Sequence, residues 1–478
     1  MSDLCLRTAE ELSGLLARGA TSPVEITEAV LARIARLQPV LNCFITVCAD
    51  EALAEARESA ARYARGAARG PLDGIPYSAK DLVDTADVRT TYGSRIHADN
   101  VPQKDAVIVA RMRAAGAILV GKTTTPEFGH KAFTQAPLFG VTRNAWSAAR
   151  GAGGSSGGAA VAVASGLAPL AIATDGGGST RIPAAANGVV GLKQTVGAIP
   201  HSQSPDPFGC YTFVTPTTRT VRDTALMMQA LAGPDPSDPW SYAAVPDYAA
   251  SGRPPKRLDG LRIALMPRLG STRVAKQVLA ALDATAKALQ GLGAAVEPFN
   301  EEIEPIEPLW RIINHSTWRA RFLPLLEKHR AIMTPTLVRQ VEMAEAFSGT
   351  DLQTAAFRRG ALFRRVQGWF THYDALLMPT LSRAALPIGS DLFDPVDIDG
   401  ELLPEVRTAW FPYTMPFNIT GHPAIALPVG LDGEGLPLSV QLVGRFREDA
   451  ALLDLAAAVE ALAGWNGRVA GASTTSSP

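Results

Sequence analysis

Ser179 follows three glycines, Gly176, Gly177 and Gly178, and these follow a short apolar run, Leu170-Ala-Ile-Ala-Thr-Asp175. An apolar run broken by glycines reads as a buried strand that turns sharply into a helix starting near Ile182, with the serine at the turn. Three residues without a Cβ let a substrate carbonyl approach the backbone. The amide hydrogens of Gly176, Gly177, Gly178 and Ser179 can then converge on one oxygen, as an oxyanion requires. The chemistry this suggests is attack by a serine hydroxyl on a carbonyl carbon. A phosphate loop is the competing reading of the glycines, but neither G-x-G-x-x-G nor G-x-x-x-x-G-K-[ST] occurs here.

A serine nucleophile needs a base. The chain has seven histidines, and none stands in a recognisable motif. Lys80 does stand out, at the end of the apolar stretch Gly74-Ile-Pro-Tyr-Ser-Ala. Burial disfavours an ammonium and lowers its pKa, which is what a lysine needs to accept a proton near neutrality. Taken alone, the position favours a surface or salt-bridged lysine beside Asp81; the serine motifs downstream reverse that preference.

The set Lys80, Gly153-Gly-Ser155-Ser156-Gly-Gly and Asp175-Gly-Gly-Gly-Ser179-Thr-Arg181 resembles the amidase signature family, hydrolases that use a Ser-cisSer-Lys triad. Gly191-Leu-Lys-Gln-Thr, Asp374-Ala-Leu-Leu-Met-Pro-Thr380, Phe417-Asn-Ile-Thr-Gly421-His-Pro-Ala and Gly435-Leu-Pro-Leu-Ser-Val-Gln441-Leu-Val-Gly444 extend the resemblance over nearly the whole chain. Departures are Arg150-Gly-Ala before the first serine motif and Gln194 where proline is common, neither of which removes a catalytic group.

The resemblance implies an α/β fold, a large mixed β-sheet covered by helices on both sides. It implies Ser179 as nucleophile, Ser155 as the bridging serine in a cis peptide, and Lys80 as base. Ser156, Asp175 and Arg181 would support the glycine loop, and no metal or cofactor is required. It places a substrate funnel at Phe128, Gly129, Phe133 and Phe139, with Trp410 and Tyr413 as further lining. The bacterial branch with this pattern contains aryl acylamidases, nylon-oligomer hydrolases and urethane-cleaving amidases. The expected substrates are therefore small amides or carbamates, with anilides and N-aryl carbamates ahead of short aliphatic amides. Two alternatives remain. One is an amidotransferase A-type subunit that releases ammonia from glutamine; its Gly-Gly-Ser-Ile-Arg-Gln-Pro pattern has Gln where this chain has Ile182. The other is a non-catalytic binding protein, against which the retention of Lys80, Ser155 and Ser179 argues.

The elements that must position these residues are legible in part. Thr8-Ala-Glu-Glu11 and Ser22-Pro-Val-Glu25 are capping boxes that open two helices, and 50–68 reads as a third. From Leu72 onward strands and helices alternate, the rhythm of a sheet clothed on both faces. Later strands are expected at 261–265, 374–378, 424–429 and 438–443. Residues 274–368 read as a helical excursion, 386–416 as a long functional loop, and 471–478 as a frayed tail after a single domain over 1–470. Of 478 residues 47% are hydrophobic and 19% charged, and the net charge is -1 without a basic stripe. That balance suits a large globular enzyme and excludes nucleic-acid or anionic-membrane binding as the main role. Cys5, Cys43, Cys48 and Cys210 lack metal-site spacing and read as free thiols. The expectation is a cytoplasmic monomer or homodimer with no signal peptide, membrane span or nucleic-acid partner.

Overall fold

The computed structural model describes residues 4–269, 273–465 and 467–471. At its centre is an eleven-stranded mixed sheet. The strands are β1 (Phe44–Val47), β2 (Pro76–Lys80), β3 (Ile118–Thr123), β4 (Leu170–Asp175), β5 (Val190–Lys193), β6 (Phe213–Thr218), β7 (Arg262–Leu265), β8 (Ala295–Pro298), β9 (Ala375–Pro379), β10 (Ala424–Leu431) and β11 (Pro437–Gly444). Their spatial order is β1-β3-β2-β4-β6-β5-β10-β11-β9-β7-β8. Pairing is parallel among β3, β2 and β4 and among β9, β7 and β8, and antiparallel between all other neighbours.

Successive strand side chains point to opposite faces, and here both faces are apolar. Leu170 and Ile172 of β4 enter one core cluster, Ala171 and Ala173 another. Ala375 and Leu377 of β9 divide from Leu376 and Met378 in the same way. Each face therefore carries helices. Ala9–Ala17, Val107–Ala114, Val221–Leu231, Lys276–Gly291 and Asp449–Ala463 cover the first. Gly157–Ala164, Arg181–Asn187, Glu307–His329 and Gly349–Trp369 cover the second. Each large apolar side chain buried between layers contributes about 1.5–3 kcal/mol. The small residues of β4 matter differently: Ala171 and Ala173 let the fully buried Gly157–Ala164 helix, which carries the serine loop at its start, lie close against the sheet.

Both capping boxes are formed, with Thr8–Glu11 bonds of 2.9 and 3.1 Å and Ser22–Glu25 bonds of 2.9 and 3.2 Å. Two expectations need adjustment. The 274–368 segment is mostly helical, as expected, but its Ala-Val-Glu-Pro at 295–298 forms edge strand β8, parallel to β7. Four residues are too few to reveal a period. The 386–416 segment is not structureless either. Val396–Ile398 pairs antiparallel with Glu401–Leu403, and a short helix, Val406–Trp410, follows. Asp399 and Gly400 both sit at positive φ (53° and 83°), the Asp-Gly signature of a tight hairpin. The expected frayed tail lies, beyond Gly471, outside the described residues. Among the described residues no helix is long and apolar enough to cross a membrane.

Candidate active site

β2 ends at Lys80 and β4 at Asp175, and the strands are parallel neighbours with Tyr77 opposite Leu170 and Ala79 opposite Ile172. Their C-terminal ends therefore open at the same edge of the sheet, the place where sheets of this kind bind ligands. Ser155 and Ser156 stand just before the Gly157–Ala164 helix, and Ser179 just before Arg181–Asn187. Lys80 is fully buried, and its Nζ lies 2.7 Å from Ser155 Oγ, 2.8 Å from Ser156 Oγ and 2.8 Å from Thr174 Oγ1. The Gly154–Ser155 peptide is cis. The Ser156 amide donates to the Ser179 carbonyl at 3.0 Å and so ties the two serine loops together. Burial pushes the Lys80 amine well below its usual pKa, with only the charge of Asp175 acting in the other direction.

The glycine turn is held from beneath by a buried ion pair. Asp175 and Arg181 are both fully buried and meet through two bonds, Nε to Oδ2 at 3.0 Å and an Nη to Oδ1 at 3.1 Å. The Asp175 carboxylate also accepts the amides of Gly178 (2.6 Å), Thr180 (3.2 Å) and Arg181 (3.4 Å), and Asn418 Nδ2 at 2.9 Å. Burial alone would raise the Asp175 pKa, but Arg181, Asn418 and the Gly178 amide together hold it well below the carboxylate range. Arg181 donates further to Gln441 (2.8 Å) and Asn418 (2.6 Å), so two motifs from the distant C-terminal third also converge here.

These bonds correct one expectation. The Gly178 amide is committed to Asp175, which leaves the amides of Gly176, Gly177 and Ser179 without an acceptor among the described residues. Gly178 instead makes the turn possible, since it sits at φ +121° and a Cβ there would meet Thr414 Oγ1 at 2.3 Å. Thr414 and Trp310 fix the turn's carbonyls, donating to Gly177 at 2.7 Å and to Gly176 at 2.7 Å.

A cavity of about 510 Å³ opens over this edge, with Ser155, Thr174, Gly176, Gly177 and Ser179 in its wall. Phe128 and Gly129 line it as expected. Phe133, Phe139, Trp410 and Tyr413 do not. Phe133 and Trp410 stack on each other behind the wall at 5.8 Å, Tyr413 is fully buried with its hydroxyl on the Pro267 carbonyl, and Phe139 lies at the Gln135–Val141 hairpin, away from the cavity. Their place is taken by the helix Glu307–His329. Trp310, Asn314, Thr317, Trp318, Arg321, Phe322 and Leu325 all line the cavity. Their spacing of three and four residues is one helical face, a pattern present in the sequence but indistinguishable there from a core stripe.

Three histidines, His97, His130 and His201, also reach the cavity, yet none bonds to either serine. Burial lowers the pKa of each, that of His201 to about 4. The four cysteines are buried and none is joined to another in a disulfide, and among the described residues no group of three potential metal ligands occurs.

The amidase family model matches residues 25–453. An acylamidase of Rhodococcus erythropolis is 37% identical over 469 residues, 96% of each chain. The A subunit of a glutamyl-tRNA(Gln) amidotransferase from Symbiobacterium thermophilum is 34% identical over 485 residues, 94% of this chain and 95% of that one. The crystal structure of a bacterial aryl acylamidase of the amidase signature enzymes superposes with a TM-score of 0.89 at 29% identity, covering 97% of this chain and 98% of the other. Agreement of that extent, in sequence and in the eleven-stranded fold, makes this chain a member of the amidase signature family, whose chemistry is the hydrolysis of amides.

Proposed function

We propose that Ser179 is the nucleophile, Ser155 the proton carrier and Lys80 the base of an amidase acting on anilides and N-aryl carbamates. The observation that carries this reading is the buried Lys80 amine with three hydroxyls around it and no carboxylate bonded to it. A neutral amine has two N–H donors and one lone pair. Ser156 already gives its own proton to the Thr174 carbonyl at 3.1 Å, so it accepts from Lys80. Thr174 Oγ1 takes the second N–H, and the lone pair is left for the Ser155 proton. Ser155 in turn takes the proton of Ser179, whose Oγ bonds to the substrate carbonyl carbon. The electron pair displaced onto oxygen is met by the amides of Gly176, Gly177 and Ser179. Collapse expels the amine with a proton returned through Ser155, and water repeats the sequence on the acyl-enzyme. A carbamate differs by an alkoxy group on the carbonyl, and its intermediate hydrolyses to the alcohol and carbon dioxide.

The aromatic wall of Trp310, Trp318, Phe322 and Phe128 suits an aryl ring, and an aromatic amine leaves more readily than an alkyl amine. Release of ammonia from glutamine is the second reading, favoured by the 34% identity to the amidotransferase chain. Rates on a nitroanilide, an N-aryl carbamate, acetamide and glutamine decide among these. Acetamide or glutamine fastest overturns the aryl preference, and an inert carbamate removes the urethane activity.

A further inference from the structure

Three cations line the cavity, Lys131, Arg321 and Arg407. Lys131 pairs with Asp391 at 3.0 Å and Arg407 with Glu307 at 3.5 Å. Arg321 forms no ion pair among the described residues; its guanidinium lies 5.1 Å over the Phe322 ring. The titratable groups near enough to feel its charge are Tyr92, Tyr211 and His201, none of them a carboxylate. The cavity's own acids are engaged elsewhere, Asp175 by Arg181 and Asp206 by the Gly209 amide.

A second donor is unpaired on the same helical face. Asn314 is 3% exposed, its Oδ1 accepts from Tyr211 at 3.1 Å, and its Nδ2 has no partner among the described residues. A buried amide donor left open is unfavourable, so its presence in a cavity wall indicates a ligand acceptor. At about 1.5 Å per residue, Trp310, which donates to the Gly176 carbonyl of the glycine turn, Asn314 and Arg321 form a ladder of roughly 16 Å that starts at that turn.

We infer that the cavity selects elongated amides that carry a carboxylate far from the scissile bond, bound by Arg321, with Asn314 donating to a carbonyl between the two ends. The inference rests on the amidase reading of the same site. Arginine suits this role because its planar fork meets a carboxylate through two bonds.

The test uses 4-nitroanilides of succinic, adipic, suberic and sebacic acids, each as the free monoacid and as its methyl ester. The longer monoacids are expected to exceed their esters in kcat/KM, mainly through KM, by roughly ten- to a hundredfold, the ordinary strength of a charge-assisted bond. Arg321→Gln is expected to abolish that ratio, Arg321→Lys to keep part of it, and Arg321→Glu to invert it in favour of amine-terminated analogues. Calorimetric binding of the same pairs to Ser179→Ala protein reads the contact without turnover. Acid and ester binding alike there, or a preference that survives Arg321→Gln, overturns the inference. Carboxylate-dependent binding in a wild-type protein that cleaves none of the anilides upholds it and strikes at the hydrolase reading instead.

Discussion

Lys80→Met removes the proposed base while keeping the side chain's length and apolar stem. Its effect on stability is small for a structural reason. Thr174 Oγ1 loses its 2.8 Å partner and Ser155 Oγ its 2.7 Å partner, but Ser156 Oγ still accepts the Thr174 amide at 3.3 Å and donates to the Thr174 carbonyl at 3.1 Å. Two orphaned hydroxyls cost about 2–6 kcal/mol, and the burial of a polar amine is relieved at the same time. With an unfolding entropy of roughly 2.1 cal/mol/K per residue over 478 residues, each kcal/mol corresponds to about 1 °C. The Tm should therefore fall by no more than about 6 °C. Catalysis suffers far more. General-base assistance is ordinarily about 10²–10⁴-fold, and members of one relay fail together, so kcat/KM should drop by about 10⁴, or 5.5 kcal/mol.

The assay is nitroanilide hydrolysis across a pH series, with thermal melts alongside. The native amine is displaced downward by burial and works in its neutral form, so wild-type activity is lost as pH falls through that lowered value. Stability carries the same sign. Between the lowered native value and the ordinary lysine value the unfolded chain binds a proton that the fold releases, so stability rises with pH there. Lys80→Met should flatten both dependences. Residual activity within tenfold of wild type, or an acid limb that persists in the variant, refutes Lys80 as the base.

Ser179→Ala and Ser155→Ala should each reduce kcat about as severely as Lys80→Met with the fold intact; wild-type-like turnover in either removes that serine from the relay. Asp175→Asn acts on the fold instead, because it leaves the buried Arg181 unneutralised and puts an NH2 in place of one carboxylate oxygen, facing either the Gly178 and Asn418 donors or the Thr180 and Arg181 donors. A loss of about 3–5 kcal/mol is expected, read as a Tm lower by about 3–5 °C together with lost activity, and an unchanged melt would contradict the account of the glycine turn. Chelator treatment should leave nitroanilide hydrolysis unchanged, since base, nucleophile and amide donors all come from the chain; loss of activity restored by zinc would refute it.

Much of this protein is local and could be read in the sequence. The capping boxes at Thr8 and Ser22 involve residues three apart. The strand-to-turn pattern before Ser179 needs only an apolar run and three glycines, and the linear motifs around Lys80, Ser155 and Ser179 are long enough to carry a family resemblance. Strand β8 and the Asp399-Gly400 hairpin were less legible because each is only a few residues long.

What only the tertiary structure decided is which groups meet. Seventy-five residues separate Lys80 from Ser155, and parallel pairing of β2 with β4 is what brings the lysine to the site. Asn418 and Gln441 lie more than two hundred residues from Arg181, yet both bond to it, and no local period encodes that. The commitment of the Gly178 amide to Asp175 follows from backbone direction in one turn. The cavity wall is the sharpest case. Trp410 and Trp310 are both large aromatics in apolar surroundings, and composition cannot tell a packed core ring from a wall. Packing against Phe133 buries Trp410 behind the wall, whereas a hydrogen bond to the Gly176 carbonyl sets Trp310 beside the turn that holds Ser179.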